Sequence, residues 1–456
     1  MSIEWSSGNI GWILNRKIIK SIIPYVSLTM RIIFLISLTL ISSLIYLSEV
    51  NASILTPVRS YRIPLLLDSS AESTRMRSDK LSDMIPAGIY MQRWEKLVLS
   101  VWNLERWSTL EVWIGEPDAF WDDTPLWKPQ IQWLKTWRNT ISSTRDGLVY
   151  LRYIWDAGTQ KRYTPVRRIS GWSLSPLYEK WFSTPTRWNR ELSYKKSPYI
   201  QIISDRSYIT VRRSSYEKML ETQIVDIPDT LTTLDTMIGW YDDLVGYTGS
   251  TGVHRKTPLR IHYREDDVST DPVWKDDVYM YATDHFIGMK SENIGDLLGK
   301  WRLRDAWSIW HETGHLYQQR DWTWWALTEV SVNIFSLMVQ EKYGLSSRLD
   351  DIEEWSRSSR AYGALWKAET KKNYNQESWA YRWESPDMVW IRLGLFDELK
   401  QKYGATLYTK LWRSYREDPI DTDDEKILIF LERLTRIAGS DIRSIFSAWG
   451  LSTSNP

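Results

Sequence analysis

The rhythm of apolar and polar positions changes along this chain. One continuous apolar stretch, with a few Ser and Thr, runs from Ile32 to Leu47. From about 56 to 165 the apolar residues come in short runs, such as Leu97-Val98-Leu99-Ser100-Val101-Trp102 and Leu148-Val149-Tyr150-Leu151-Arg152-Tyr153-Ile154, divided by Gly, Pro, Asn and Asp. Short β-prone runs between turn formers predict an antiparallel β domain over residues 56–165. Residues 166–197, rich in Trp, Ser and Pro, predict a connecting segment with no assignable elements. Tyr199-Ile200-Gln201-Ile202 and Tyr208-Ile209-Thr210-Val211 predict strands at the entry to a third region, 198–456, which becomes helical from about 215. There Leu303, Ala306, Trp307 and Trp310 fall at helical spacing, as a buried helix requires, and Leu327 to Phe335 predicts a second packed helix. The expected class is α+β multidomain.

Residues 1–52 read as a leader. Arg31 stands before the apolar stretch, Arg16, Lys17 and Lys20 lie further back, and Val50-Asn51-Ala52 supplies small residues for cleavage after Ala52, a signal-peptide pattern. Met30-Arg31 and the run behind it make a complete signal peptide by themselves, which points to Met30 as the true start. The alternative is an uncleaved anchor on the outer face of a membrane. Residues 32–47 are shorter than the ~20 that a spanning helix prefers, but local bilayer thinning accommodates short spans. The expected location is secreted or extracellular, with an anchor at 32–47 as the alternative.

Composition narrows the function. With 58 basic and 57 acidic residues and a formal net charge of +1, no whole-chain field favours nucleic acid. Cys is absent, so no disulfide framework is available and the core must stabilise the chain alone. Trp is abundant, with 29 copies that must be core fillers or exposed ligand platforms.

The chemistry concentrates in His311-Glu312-Thr313-Gly314-His315. Two His four residues apart share one helix face and can chelate one metal ion, and the Glu between them points at the metal's open position. A hydrolytic zinc site needs three protein ligands and an open fourth position. Glu329, on the second packed helix, is the better candidate for the third ligand. Asp321, six residues beyond His315, is the alternative, although Gln318 stands where zinc proteases of that spacing turn the chain with Gly. Asn333, one turn after Glu329, could accept the ring N–H of a ligating His and fix its tautomer. Zinc on such a set acidifies its water and polarises a carbonyl, with Glu312 as the general base. Tyr374, Tyr381, His262 and His285 are candidates for stabilising the oxyanion, and spacing does not choose among them.

The string Trp310-His311-Glu312-Thr313-Gly314-His315-Leu316-Tyr317-Gln318, then Trp322-Thr323-Trp324 and Thr328-Glu329-Val330-Ser331-Val332-Asn333-Ile334-Phe335, resembles the enhancin-like zinc metallopeptidases, the viral enhancins and their bacterial mucin-degrading relatives. Fainter similarity covers most of residues 80–452, including Asp242-Asp243-Leu244-Val245-Gly246 and Phe446-Ser447-Ala448-Trp449-Gly450-Leu451. The resemblance implies a mainly helical, gluzincin-like zincin domain over 198–456. It also implies that His311, His315 and Glu329 are zinc ligands, Glu312 is the general base, and mucin-type O-glycosylated proteins are the substrates. Trp322, Trp324 and Trp325 lie between the two helices, where they would stack on a sugar beside the cleft. Two readings compete with this glycoprotein peptidase. One is a broad-specificity extracellular metallopeptidase with no glycan requirement. The other is a Trp-rich mucin- or carbohydrate-binding surface protein with a vestigial site.

Overall fold

The computed structural model of the protein describes residues 60–115, 129–155, 163–171, 174–249, 251–266, 279–350, 387–420 and 425–449. The expected leader, Tyr374 and Tyr381 lie outside the described residues.

The first region is built from β1 (Ser60–Pro64), β2 (Ile85–Met91), β3 (Lys96–Val101), β4 (Ser108–Gly115), β5 (Gln130–Trp133), β6 (Trp137–Ser142), β7 (Gly147–Trp155) and β8 (Tyr163–Ser170), with helix α1 (Ser69–Met76) between β1 and β2. They form two antiparallel four-stranded sheets, ordered β1-β8-β3-β6 and β2-β7-β4-β5. Alternation sends Leu97, Leu99 and Val101 of β3, Val112 and Ile114 of β4, and Val149, Leu151 and Tyr153 of β7 into one shared core. The other face of β7 is also covered. Leu148 and Tyr150 pack with Tyr199 and Tyr208 of the next region, which seats the β domain on it.

The second region has at its centre a six-stranded mixed sheet, ordered β13-β14-β12-β11-β10-β9. Its strands are β9 (Leu177–Glu179), β10 (Tyr199–Ile203), β11 (Ser207–Arg212), β12 (Ile261–Glu265), β13 (Met280–Ala282) and β14 (Ile287–Met289). Helices make up far more of the region than these strands, as expected, but the sheet extends beyond the two entry strands that the sequence marks. Three of these strands have only three residues, too few for a period-2 signal, and the parallel pairing of β11 with β12 joins distant segments. The connecting segment also holds structure: β8 carries the β domain to Ser170, and β9 and helix α2 (Pro185–Leu192) follow. α2 starts where its sequence directs, with Thr184 capping the Arg187 N–H and Pro185 in the first turn.

Around this sheet lie α3 (Arg213–Thr222), α4 (Ile227–Leu244), α5 (Ile294–Leu298), α6 (Trp307–His315), α7 (Thr328–Ser331), α8 (Asn333–Lys342), α9 (Asp387–Tyr403), α10 (Thr406–Glu417), α11 (Lys426–Ala438) and α12 (Arg443–Ala448). α4 is capped by Asp226 and buries Leu231, Leu234, Ile238 and Tyr241, one stripe at helical spacing. α6 and α8 pack together, and α9 to α11 close over them through Phe396, Leu411, Trp412 and Phe430.

Candidate active site

α6 buries Ile309, Trp310, Thr313 and Gly314, which turns His311, Glu312 and His315 to its open side. Its buried face is tied down at several points. The Trp310 indole donates to Leu303 O at 2.8 Å, Tyr241 Oη donates to Trp310 O at 2.6 Å, and Tyr263 Oη of β12 lies 2.8 Å from Thr313 Oγ1. Gly314 is required by close approach, because a Cβ there would lie 2.8 Å from Val332 Cγ2 and 3.2 Å from Val332 O. The helix bearing the two His is thus pressed against the segment bearing Glu329.

His311, His315 and Glu329 converge, each offering one donor atom within 4.8 Å of the others. His311 Nε2 lies 2.9 Å from Glu329 Oε2 and 3.1 Å from His315 Nε2, and the third edge of the triangle is 3.6 Å. A tetrahedral zinc with ligands at about 2.0–2.2 Å sets donor separations of roughly 3.3 Å, and this triangle brackets that value. Burial opposes ionisation of Glu329, but the neighbouring His311 and His315 outweigh it and hold the carboxyl well below its usual range. The third donor is therefore an anion.

The far sides of the imidazoles decide which nitrogens are free. His311 Nδ1 lies 2.9 Å from Asn333 Oδ1, and Asn333 Nδ2 donates to Glu329 O at 2.8 Å. His315 Nδ1 lies 2.7 Å from Gln318 Oε1. A backbone carbonyl can only accept, so the Asn333 amide is oriented with its oxygen toward His311, and the ring proton sits on Nδ1. The Nε2 lone pairs then face each other across the triangle, an arrangement that a cation satisfies. This donor set fits zinc.

Glu312 lies beside the triangle, its Oε2 4.0 Å from His315 Nε2. Burial, with the charge of Glu329, pushes its pKa up to about 7, although His311 and a backbone hydrogen bond from Ala282 pull the other way. Ala282 ends edge strand β13, which lies against α6. Neither Ala282 nor Gln318 is marked out by the sequence. A backbone donor leaves no trace in residue type, and Gln318 reads there only as a missing Gly.

Asp321 lies apart from this group. It is 1% exposed and bound by Arg77 and the Ile420 N–H. The expectation that Trp322 and Trp324 stack on sugar is corrected as well. Trp322 is fully buried, stacked on Phe430 and edge-on to Trp412, and Trp324 packs edge-on against the same Phe430. Aromatic rings at the junction of two packed helices fill the core between them and α11. Trp325 begins a 3-10 turn, Trp325–Leu327, and its side chain lies outside the described residues. His262 is buried, stacked on Tyr208 and 3.1 Å from Thr210 Oγ1. His285 sits beside Asp284 and lines a cavity of about 220 Å³ with Lys80, Trp113, Arg152 and His262. Neither His belongs to the donor group.

The sequence model of the family described as peptidase M60, enhancin and enhancin-like, matches residues 173–450. TRPM8 channel-associated factor 1 of Bos taurus is 22% identical over 308 residues, which is 66% of this chain and 30% of that protein, so the chain spans under a third of this relative. A conserved protein mutant from Bacillus anthracis str. Ames, of unknown function, superposes with a TM-score of 0.70 at 26% identity, covering 87% of this chain and 77% of its own. The M60 catalytic domain of Clostridium perfringens ZmpC, in complex with the sialyl T antigen, superposes with a TM-score of 0.67 at 14% identity, covering 87% and 77%. That last likeness is one of fold.

Proposed function

Since this chain belongs to the peptidase M60, enhancin and enhancin-like family, we propose that it is a zinc-dependent endopeptidase of gluzincin type. In this reading it cuts peptide bonds in mucin-type O-glycosylated proteins outside the cell, secreted after cleavage of its leader or anchored by residues 32–47. The observation that carries the reading is the donor triangle of His311, His315 and Glu329, in which the two lone pairs and the carboxylate face one another with Glu312 alongside. The intact set argues against a vestigial site.

His311, His315 and Glu329 would hold the ion, which when bound polarises the scissile carbonyl and acidifies a water at its open position. Glu312 takes the proton of the attacking water on its carboxylate. With a pKa near neutrality it can hold that proton and pass it to the leaving amine. The Ala282 N–H favours the ionised carboxylate that starts the cycle and is restored at its end. No side-chain nucleophile is needed, in keeping with a chain that contains no Cys.

The glycoprotein substrate is supported by the fold neighbour's complex with the sialyl T antigen. The burial of Trp322 and Trp324 favours the second reading, a broad-specificity peptidase, because these rings cannot read a sugar. Incubating the protein with intact and enzymatically deglycosylated mucin, with and without chelator, and sequencing new N-termini tests both. The proposal expects new N-termini from intact mucin alone, lost on chelation and restored by zinc. Equal cleavage of both substrates would establish the broad peptidase, and no cleavage of either would return the vestigial site.

A further inference from the structure

Gln318 follows His315 by three residues, just past the end of α6, where its N–H is shared between Gly314 O at 3.1 Å and His315 O at 3.2 Å. Its side chain leaves the helix path and fills the space between His315 and the segment that carries Glu329. There both N–H groups and the oxygen of the carboxamide have a partner. Nε2 donates to Thr328 O at 2.7 Å and to Ser331 Oγ at 2.9 Å, and Oε1 lies 2.7 Å from His315 Nδ1. The Ser331 hydroxyl spends its own hydrogen on Leu327 O at 3.0 Å, so toward Gln318 it can only accept. Turning the amide over would set its oxygen against two acceptors, Thr328 O and Ser331 Oγ. The orientation is therefore fixed from the α7 side, and Oε1 must receive a proton from His315 Nδ1.

We infer that Gln318 is a positioning residue, which fixes His315 as the Nδ1–H tautomer and ties that ring to the segment bearing Glu329. The inference rests on the metal reading above for its purpose, but not for its geometry. Asn333 does the same for His311 through Glu329 O. The two imidazoles are thus oriented by two neutral carboxamides, each anchored on the backbone carbonyl of one of two successive residues, Thr328 and Glu329. One short segment sets both ring orientations and delivers the carboxylate. Partners of this kind outside the ligand set are worth 10- to 100-fold in metal affinity or activity, or about that.

The test uses the whole chain labelled with [15N]histidine, which gives five imidazoles to resolve. In the metal-free protein, two-bond 1H–15N spectra report the tautomer of His315 directly, assigned by comparison with His315→Asn. The inference expects Nδ1–H in the parent and in Gln318→Glu, which keeps the acceptor. It expects loss of that tautomer bias in Gln318→Leu. Zinc titration should then show Gln318→Leu weakened by about 10- to 100-fold. Gln318→Glu should also be weakened, because it keeps the tautomer but loses both donations to the α7 segment. A parent His315 protonated on Nε2, or a Gln318→Leu protein with parental tautomer and zinc affinity, overturns the inference. A parent that shows Nδ1–H yet binds no zinc leaves the positioning role standing and overturns the metal reading instead.

Discussion

Arg77 and Asp321, 244 positions apart, form a bidentate ion pair, with Arg77 Nε 3.1 Å from Oδ1 and 3.0 Å from Oδ2 and Nη2 2.9 Å from Oδ1. Arg77 also donates to Ile420 O at 2.7 Å, and the Ile420 N–H donates to Asp321 Oδ1 at 3.0 Å. The pair staples the end of α1 to the chain beyond α10, just downstream of the two His. Removing one partner of a buried pair strands the other charge at a cost of about 3–5 kcal/mol. Asp321→Ala should lower the melting temperature markedly and leave the metal content unchanged. Metal loss without loss of stability would make Asp321 a ligand after all.

Glu312 and Glu329 should separate cleanly. Glu312→Gln is expected to keep the metal and the fold while turnover falls by about 10²- to 10⁴-fold, the usual worth of general acid–base transfer. Glu329→Ala should bind metal poorly, with activity lost in proportion to bound metal. Metal analysis beside kinetics on the same samples checks both. A Glu329→Ala protein with full metal would remove Glu329 from the ligand set.

Acid sensitivity should arise in part at His262, away from the metal ligands. Burial, reinforced by the charge of Arg264, pushes its pKa well below the ordinary 6.5. Between the folded and unfolded values only the unfolded chain holds the extra proton, so stability is full above about pH 6.5 and falls as pH drops below it. His254 and His285 shift the same way and share the slope. Denaturant titrations of metal-free protein between pH 5 and 8 should show His262→Gln less stable at pH 8 but with a shallower loss toward pH 5. Parallel curves would assign the acid sensitivity to the other groups.

Trp94, Trp107, Trp137 and Trp301 have φ of 73, 71, 77 and 66°, and make up four of the six non-Gly residues at positive φ among the described residues. Their rings are 69, 77, 67 and 61% exposed. A left-handed conformation costs a residue with a β-carbon roughly 1–2 kcal/mol, and an exposed indole recovers little of it by burial. Gly suits all four positions, and Gly is scarce here, at 21 of 456 residues against the roughly 7% usual. Replacing the four by Gly should raise stability by about 1 kcal/mol or less each, once the extra freedom of the unfolded chain is counted. A lower melting temperature in the fourfold variant would show that the indoles contribute contacts. Peptide mass spectrometry of protein from its natural source reads the residue inserted at each position. Gly at all four would identify a codon reassigned from Trp to Gly.

What the sequence determined by itself is what local geometry repeats. The 3.6-residue turn puts His311 and His315 on one face whatever surrounds them, and alternation marks β3, β4 and β7 as two-faced strands. The packed-helix segment made Glu329 the better third ligand, the resemblance agreed, and spacing from it added Asn333. Tertiary structure alone decided the rest. β9, β13 and β14 are too short to carry a period and exist because neighbours complete their hydrogen bonds. Trp322 and Trp324 look alike as ring platforms or core, and only the arrival of α11 with Phe430 decides for core. Asp321 could pass for a ligand until Arg77 is brought to it from the far end of the chain. Gln318 becomes meaningful only when the carbonyl of Thr328 forces its amide to face His315. In each case the deciding partner is distant in sequence, and residue type at one position does not record which group will be packed against it.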